Sequence, residues 1–148
     1  MDRPFVEENA RERKRMKKMM EELTDSQLGL RMEDGWTVGV TFAHLAFWDR
    51  RSLLLLRKWK SGGHVEMAPI DIDIVNEALL PTWQSLPPQA AVSLAVSAAQ
   101  EIDRELEDYP AELVSDIEAA GDRNRLYRSV HRKYHLDRIE EHLQAMTH

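Results

Sequence analysis

The chain has 148 residues, 43% hydrophobic and 31% charged, which is enough apolar material for one domain with its own core. Its 20 basic and 26 acidic residues leave a net charge of -6, which argues against a nucleic-acid partner. The absence of cysteine removes disulfides, thiolate metal sites and a cysteine nucleophile. The opening MDRPFVEENARERKRMKK has no apolar run ahead of its charges, and no segment approaches the roughly 20 apolar residues of a membrane span. A cytoplasmic protein with no membrane partner is expected.

In chain order, Val6, Ala10, Met16, Met19, Met20 and Leu23 recur at helical spacing among charges, predicting an amphipathic first helix. The basic run RERKRMKK inside it alternates with apolar positions, so it reads as a solvated helix face. LTDSQLGLRMEDGW breaks that helix, and Thr37 is a good N-cap for a long second helix from Val38 to about Lys60. After the loop SGGHVEMAP, IDIDIVNEALLPTWQSL predicts a shorter helix that ends before Pro81 or kinks there, although Ile70, Ile72 and Ile74 alternate as in a strand. Pro87 and Pro88 open a long alanine-rich helix. A short helical piece, AELVSDIEAA, lies between Pro110 and Gly121, and the last helix runs from about Arg125 to Met146. Four long helices with short connections predict an all-α, antiparallel four-helix bundle with an extra short helix in a connection, residues 1–148 forming one domain.

The last helix carries HRKYH, in which His131 and His135 are four residues apart. At 100° per residue they fall between one border of Leu126, Tyr127, Val130 and Tyr134 and another of Leu136, Ile139 and Leu143, facing the bundle. Arg132, Lys133, Asp137 and Glu140 mostly take the outward side. On the second helix His44 borders an arc that holds Leu45, Trp48, Leu55, Leu56 and Trp59. Residues four apart have Cβ atoms roughly 5 to 6 Å apart, so two imidazoles can bind one ion from the same side and a third can close a facial set. Three neutral nitrogens suit zinc, nickel or ferrous iron and leave a position open for water or substrate. His142 also nears the inward arc, but it lies roughly 10 Å along the axis from His135. His64, in a glycine loop, and His148, at the end, read as solvated.

The segments GWTVGVTFAHLAFWDRRSLLLL and HRKYHLDRIEEH, with LTDSQL ahead of them, resemble the DinB-like superfamily of four-helix bundles. That group includes the YfiT-like metal-dependent hydrolases, the amino-terminal domains of mycothiol-dependent maleylpyruvate isomerases and the ClbS/DfsB proteins. The resemblance implies a divalent metal, most often zinc or nickel with iron or manganese as alternatives, held by His44, His131 and His135. It also implies a homodimer and a small-molecule substrate, with a low-molecular-weight thiol as one candidate. The last motif here reads HLDR where HxxQ is commoner. Two classes follow: a metal-dependent hydrolase or thiol-dependent transferase or isomerase, or a dimeric bundle that sequesters a small molecule and keeps its histidines for structure.

Asp49 falls on the packed face of the second helix, where an unpaired carboxylate is costly. It is a candidate catalytic accessory, with a salt bridge to a neighbouring helix as the weightier reading. Tyr134 is the second candidate accessory. Trp48, Trp59 and Tyr134 read as core aromatics first and as pocket walls second.

Overall fold

Proline and threonine set the helix starts. Pro4 and Pro88 each occupy a first turn, where the missing N–H costs no hydrogen bond. Thr37 Oγ1 accepts from Val40 N–H at 3.1 Å. The computed structural model describes residues 1–147, so His148 lies outside the described residues. It contains α1 (Pro4–Glu22), α2 (Asp25–Leu28), α3 (Val38–Gly62), α4 (Ile72–Ser85), α5 (Pro88–Glu107), α6 (Ala111–Ala119) and α7 (Arg128–Ala145). Among the described residues the only extended pairing is a single bridge between Arg31 and Thr37.

Two boundaries differ from the sequence expectation, and one of two alternatives is decided. DSQL is not merely a break but a one-turn helix closed by a capping box between Thr24 and Gln27. α4 runs through Pro81 to Ser85. α7 starts at Arg128, because Arg123–Arg125 form a 3-10 turn. Gly63 ends α3 in the left-handed region, at φ 79°, with its N–H on Trp59 O.

α1, α3, α5 and α7 make the bundle, and their contacts fix its directions. Arg3 reaches Leu106 O and Tyr109 O, whereas Arg13 reaches Asp103 and Met20 approaches Ser93, so α1 and α5 are antiparallel. The pairs His44–His131, Asp49–Arg128 and Ser52–Arg125 make α3 and α7 antiparallel as well. Arg50–Glu101 and Lys60–Glu105 run in step, as do Asn9–Ser129 and Arg15–Glu140, so α3/α5 and α1/α7 are parallel neighbours. Two helices therefore point up and two down, and the segment holding α4 returns the chain from the end of α3 to the start of α5.

The core is split across its middle. One apolar cluster joins Met16, Val38, Phe42, Leu45, Trp83, Val92 and Leu136, and a second joins Phe5, Leu53, Leu56, Trp59, Ile102 and Leu126. Between them lies a buried polar layer: Asn9 from α1, Asp49 and Ser52 from α3, Asp103 from α5, and Arg128, Ser129 and Arg132 from α7. This corrects the orientation expected for α7. Arg132, expected outside, is fully buried, while Val130 and Tyr134, expected at the inward border, are 52% and 53% exposed. The stripe that packs is Arg128, Arg132, Leu136 and Ile139, which keeps helical spacing but places charge where an apolar residue is the usual occupant.

Candidate metal centre

The three histidines meet at the upper edge of the polar layer. His44 is placed by α3, one of the most apolar helices of the bundle, and only 5% of it is exposed. Its ring is walled by Trp36, Trp83 and Trp48, with centroids at 4.9, 5.5 and 6.4 Å. Successive turns of α7 deliver His131 and His135, and the three ring centroids lie 4.8 to 4.9 Å apart. His44 Nε2 and His131 Nε2 are 2.9 Å apart, and one nitrogen from each of the three rings falls within 4.8 Å of the others.

This geometry fits a shared cation. With a metal–nitrogen bond of about 2.0–2.1 Å, two imidazoles on one ion place their nitrogens about 3 Å apart at a right angle and about 3.4 Å apart at a tetrahedral angle. The donors are all neutral and borderline-soft, as zinc and nickel prefer. His44 Nδ1 is, among the described residues, the buried side-chain polar atom that has no hydrogen-bond partner. The ring is thus held by packing against indoles, and its other nitrogen, Nε2, is the one that meets His131.

Burial also keeps the rings unprotonated. Desolvation first, then mutual repulsion with the neighbouring imidazoles, brings His44 and His131 down to about 3; burial does most of the same for His135, at about 4. Lone pairs are therefore free for a metal at neutral pH. The sign for folding follows from linkage: the unfolded chain takes up protons below the ordinary value of 6.5, whereas the folded one does not until about 4 to 3. Stability of the metal-free protein is fully present above pH 6.5 and is expected to fall as pH drops, by up to about 1.4 kcal/mol per pH unit for each histidine. Urea midpoints at pH 7.5 and 5.0 check this against a His131→Gln/His135→Gln variant, in which most of the drop should vanish.

Two clefts open beside the triad. One, of about 210 Å³, is lined by Glu33, Asp34, His135, Arg138, Glu141 and His142. The other, of about 320 Å³, is lined by Trp36, Asp73, Asn76, Glu77 and Leu80. Asp34 Oδ1 accepts from Trp36 N–H at 2.9 Å, which fixes the turn between them. None of these five carboxylates forms a salt bridge among the described residues, unlike Asp137 and Glu140, which pair with Arg15.

The remaining sequence candidates are distributed as follows. Asp49 makes the interhelical salt bridge, accepting from Arg128 and Arg132, and these cations outweigh the effect of its burial and hold it below the usual carboxylate range. Tyr134 stands on the rim, its ring 5.0 Å from His135 and stacked under the Arg138 guanidinium. Trp48 borders the triad and donates to Asn76 Oδ1, whereas Trp59 belongs to the far cluster. His64 is exposed, and His142 lines the first cleft outside the triad. Sequence reading missed Trp36, which lies in the irregular segment ahead of α3, and Trp83, near the end of α4, and missed the acidic clefts, whose members come from three separate segments.

A family model described as the DinB superfamily matches residues 8–146. No curated protein and no solved structure shows significant similarity to the chain. Since the match spans nearly the whole sequence and its helical fold is the one found here, the chain belongs to the DinB superfamily.

Proposed function

We propose that the protein is a divalent-metal-dependent enzyme in which His44, His131 and His135 hold zinc or nickel, with iron and manganese as the other candidates. The observation that carries this reading is the convergence of three neutral imidazoles from two helices, two of their nitrogens 2.9 Å apart. When bound, such an ion supplies Lewis acidity, which makes a water or a thiol a competent nucleophile at neutral pH. The residues contribute the rest. Indole walls around His44 exclude water from the buried side of the site, and the partly exposed His131 and His135 leave the opposite side open to a small molecule. Tyr134, at that rim, is placed to contact substrate. Asp49 acts through its arginines rather than on the substrate.

The charge around the mouth bears on the nucleophile. Glu33, Asp34 and Glu141 face one cleft and Asp73 and Glu77 the other, with Arg138 the cation among these lining residues. Carboxylate-bearing thiols meet repulsion there, so hydrolysis of a neutral or cationic substrate is the favoured branch, and thiol transfer or isomerisation the second. A homodimer, as in family members, is the assembly expected in this reading.

Protein purified without a histidine tag should carry, or take up on titration, close to one equivalent of zinc or nickel per chain. Metal analysis showing less than about a tenth of an equivalent, with no uptake, would falsify the reading.

A further inference from the structure

We propose that Arg132 is the positioning residue of the metal centre: one fully buried guanidinium, inserted between two ligand positions on α7, ties that helix to the other three and fixes the register in which His131 and His135 meet His44. The inference rests on the metal-binding reading above. It comes from counting donors. Arg132 has five N–H groups, and each has an acceptor. Nε donates to Asp49 Oδ2 at 3.2 Å and Nη2 to the same oxygen at 3.0 Å, both on α3. Nη1 and Nη2 hold the two Asp103 oxygens of α5, at 3.0 and 2.9 Å. The last Nη1 proton goes to the Asn9 carbonyl of α1 at 3.0 Å.

The neighbours extend this anchorage. Arg128 Nε takes the other Asp49 oxygen at 2.8 Å, and Arg13 Nη1 takes Asp103 from outside at 2.5 Å. Asn9 caps the start of α7, accepting from Ser129 N–H at 2.8 Å and donating to Leu126 O at 2.8 Å. Charges alternate along the row Arg13, Asp103, Arg132, Asp49, Arg128, which crosses all four bundle helices. Apolar packing of similar volume usually serves stability as well as a buried ion network does or better. What a saturated, planar fork adds is direction: a slide of α7 by one residue would move the guanidinium about 1.5 Å along the axis and turn it by 100°, breaking every one of these bonds. The same slide would carry His131 and His135 away from His44. Lysine, with three donors on a flexible stem, cannot replace the fork.

The test is zinc affinity of folded protein, by competition with a chromophoric chelator, for wild type, Arg132→Lys and Asp103→Asn. Far-UV circular dichroism and the visible spectrum of the cobalt-loaded forms accompany each titration. Arg132→Lys is expected to bind zinc about ten- to a hundredfold more weakly while keeping its helical content, with an altered cobalt spectrum. A merely structural arginine would lower the melting temperature and leave affinity and spectrum alone. Affinity within twofold of wild type in a folded Arg132→Lys protein overturns the proposal. If that variant does not fold, Asp103→Asn decides: it removes one anchor without touching the ligands, and unchanged affinity there overturns the proposal equally. Wild-type protein that takes up no zinc overturns the metal reading itself, and this inference with it; a binding wild type with indifferent variants overturns this inference alone.

Discussion

His135→Ala is expected to weaken zinc or nickel binding by at least about a hundredfold, or about 2.8 kcal/mol, while leaving the fold intact. Three protein donors are the usual minimum for holding these ions in a catalytic site, and the two that remain, His44 and His131, offer only one edge of a coordination polyhedron. The fold should survive because His135 is partly exposed and makes no hydrogen bond among the described residues, so truncation strands no polar partner there. Calorimetric titration with zinc measures the loss, and thermal melts without metal check that stability changes by less than about 1 kcal/mol. His142→Ala, one cleft away, and His64→Ala, in the exposed loop, serve as controls and are expected to bind as wild type does. Full occupancy in His135→Ala would mean that the ion sits in another cluster.

The parts of this site that could be read from the sequence are those that obey a period. His131 and His135 share a helix face by spacing alone, Thr37 announces α3, and the apolar run of α3 carries His44 inward, so the triad follows from one-dimensional rules. The polar layer does not. On α7 the packed stripe is Arg128, Arg132, Leu136 and Ile139, and a reading that sends charge outward rotates the helix until Val130 and Tyr134 fall inside. Only partners more than 80 residues away in sequence for Asp49, and on a third helix for Asp103, make a buried arginine acceptable, and no local pattern encodes them. Helix directions are hidden for the same reason. Short connections suggest antiparallel neighbours, but the segment holding α4 is long enough to return the chain, so α5 lies parallel to α3; α6 stays at the end where α5 finishes, so α7 runs back against α5 and parallel to α1. α4 itself starts with Ile72 and Ile74 exposed, an alternation that carries strand character in sequence and is overruled by the Asp71 cap on Ile74 N–H.

Asp49→Ala should be among the most destabilising single changes in the chain, costing about 3–5 kcal/mol of unfolding free energy. The carboxylate is nearly inaccessible and balances two buried guanidinium groups, taking three hydrogen bonds from Arg128 and Arg132 at 2.8 to 3.2 Å. Its removal leaves the buried Arg128 without its carboxylate and the buried Arg132 with Asp103 alone, which it already shares with the partly exposed Arg13, and neither buried arginine can shed its proton to relieve the imbalance. Such a loss is a large share of the 5–15 kcal/mol typical of a domain this size. Asp49→Asn, which keeps the shape and one acceptor oxygen, should lose less, about 1.5–3 kcal/mol. Arg50→Ala, one residue along α3, provides the contrast: its bridge to Glu101 at 2.6 Å is exposed to solvent and is worth no more than about 1 kcal/mol. Urea unfolding of the three variants orders them. A loss for Asp49→Ala no larger than that for Arg50→Ala would mean that water reaches both guanidinium groups and that the layer contributes little to holding the four helices together.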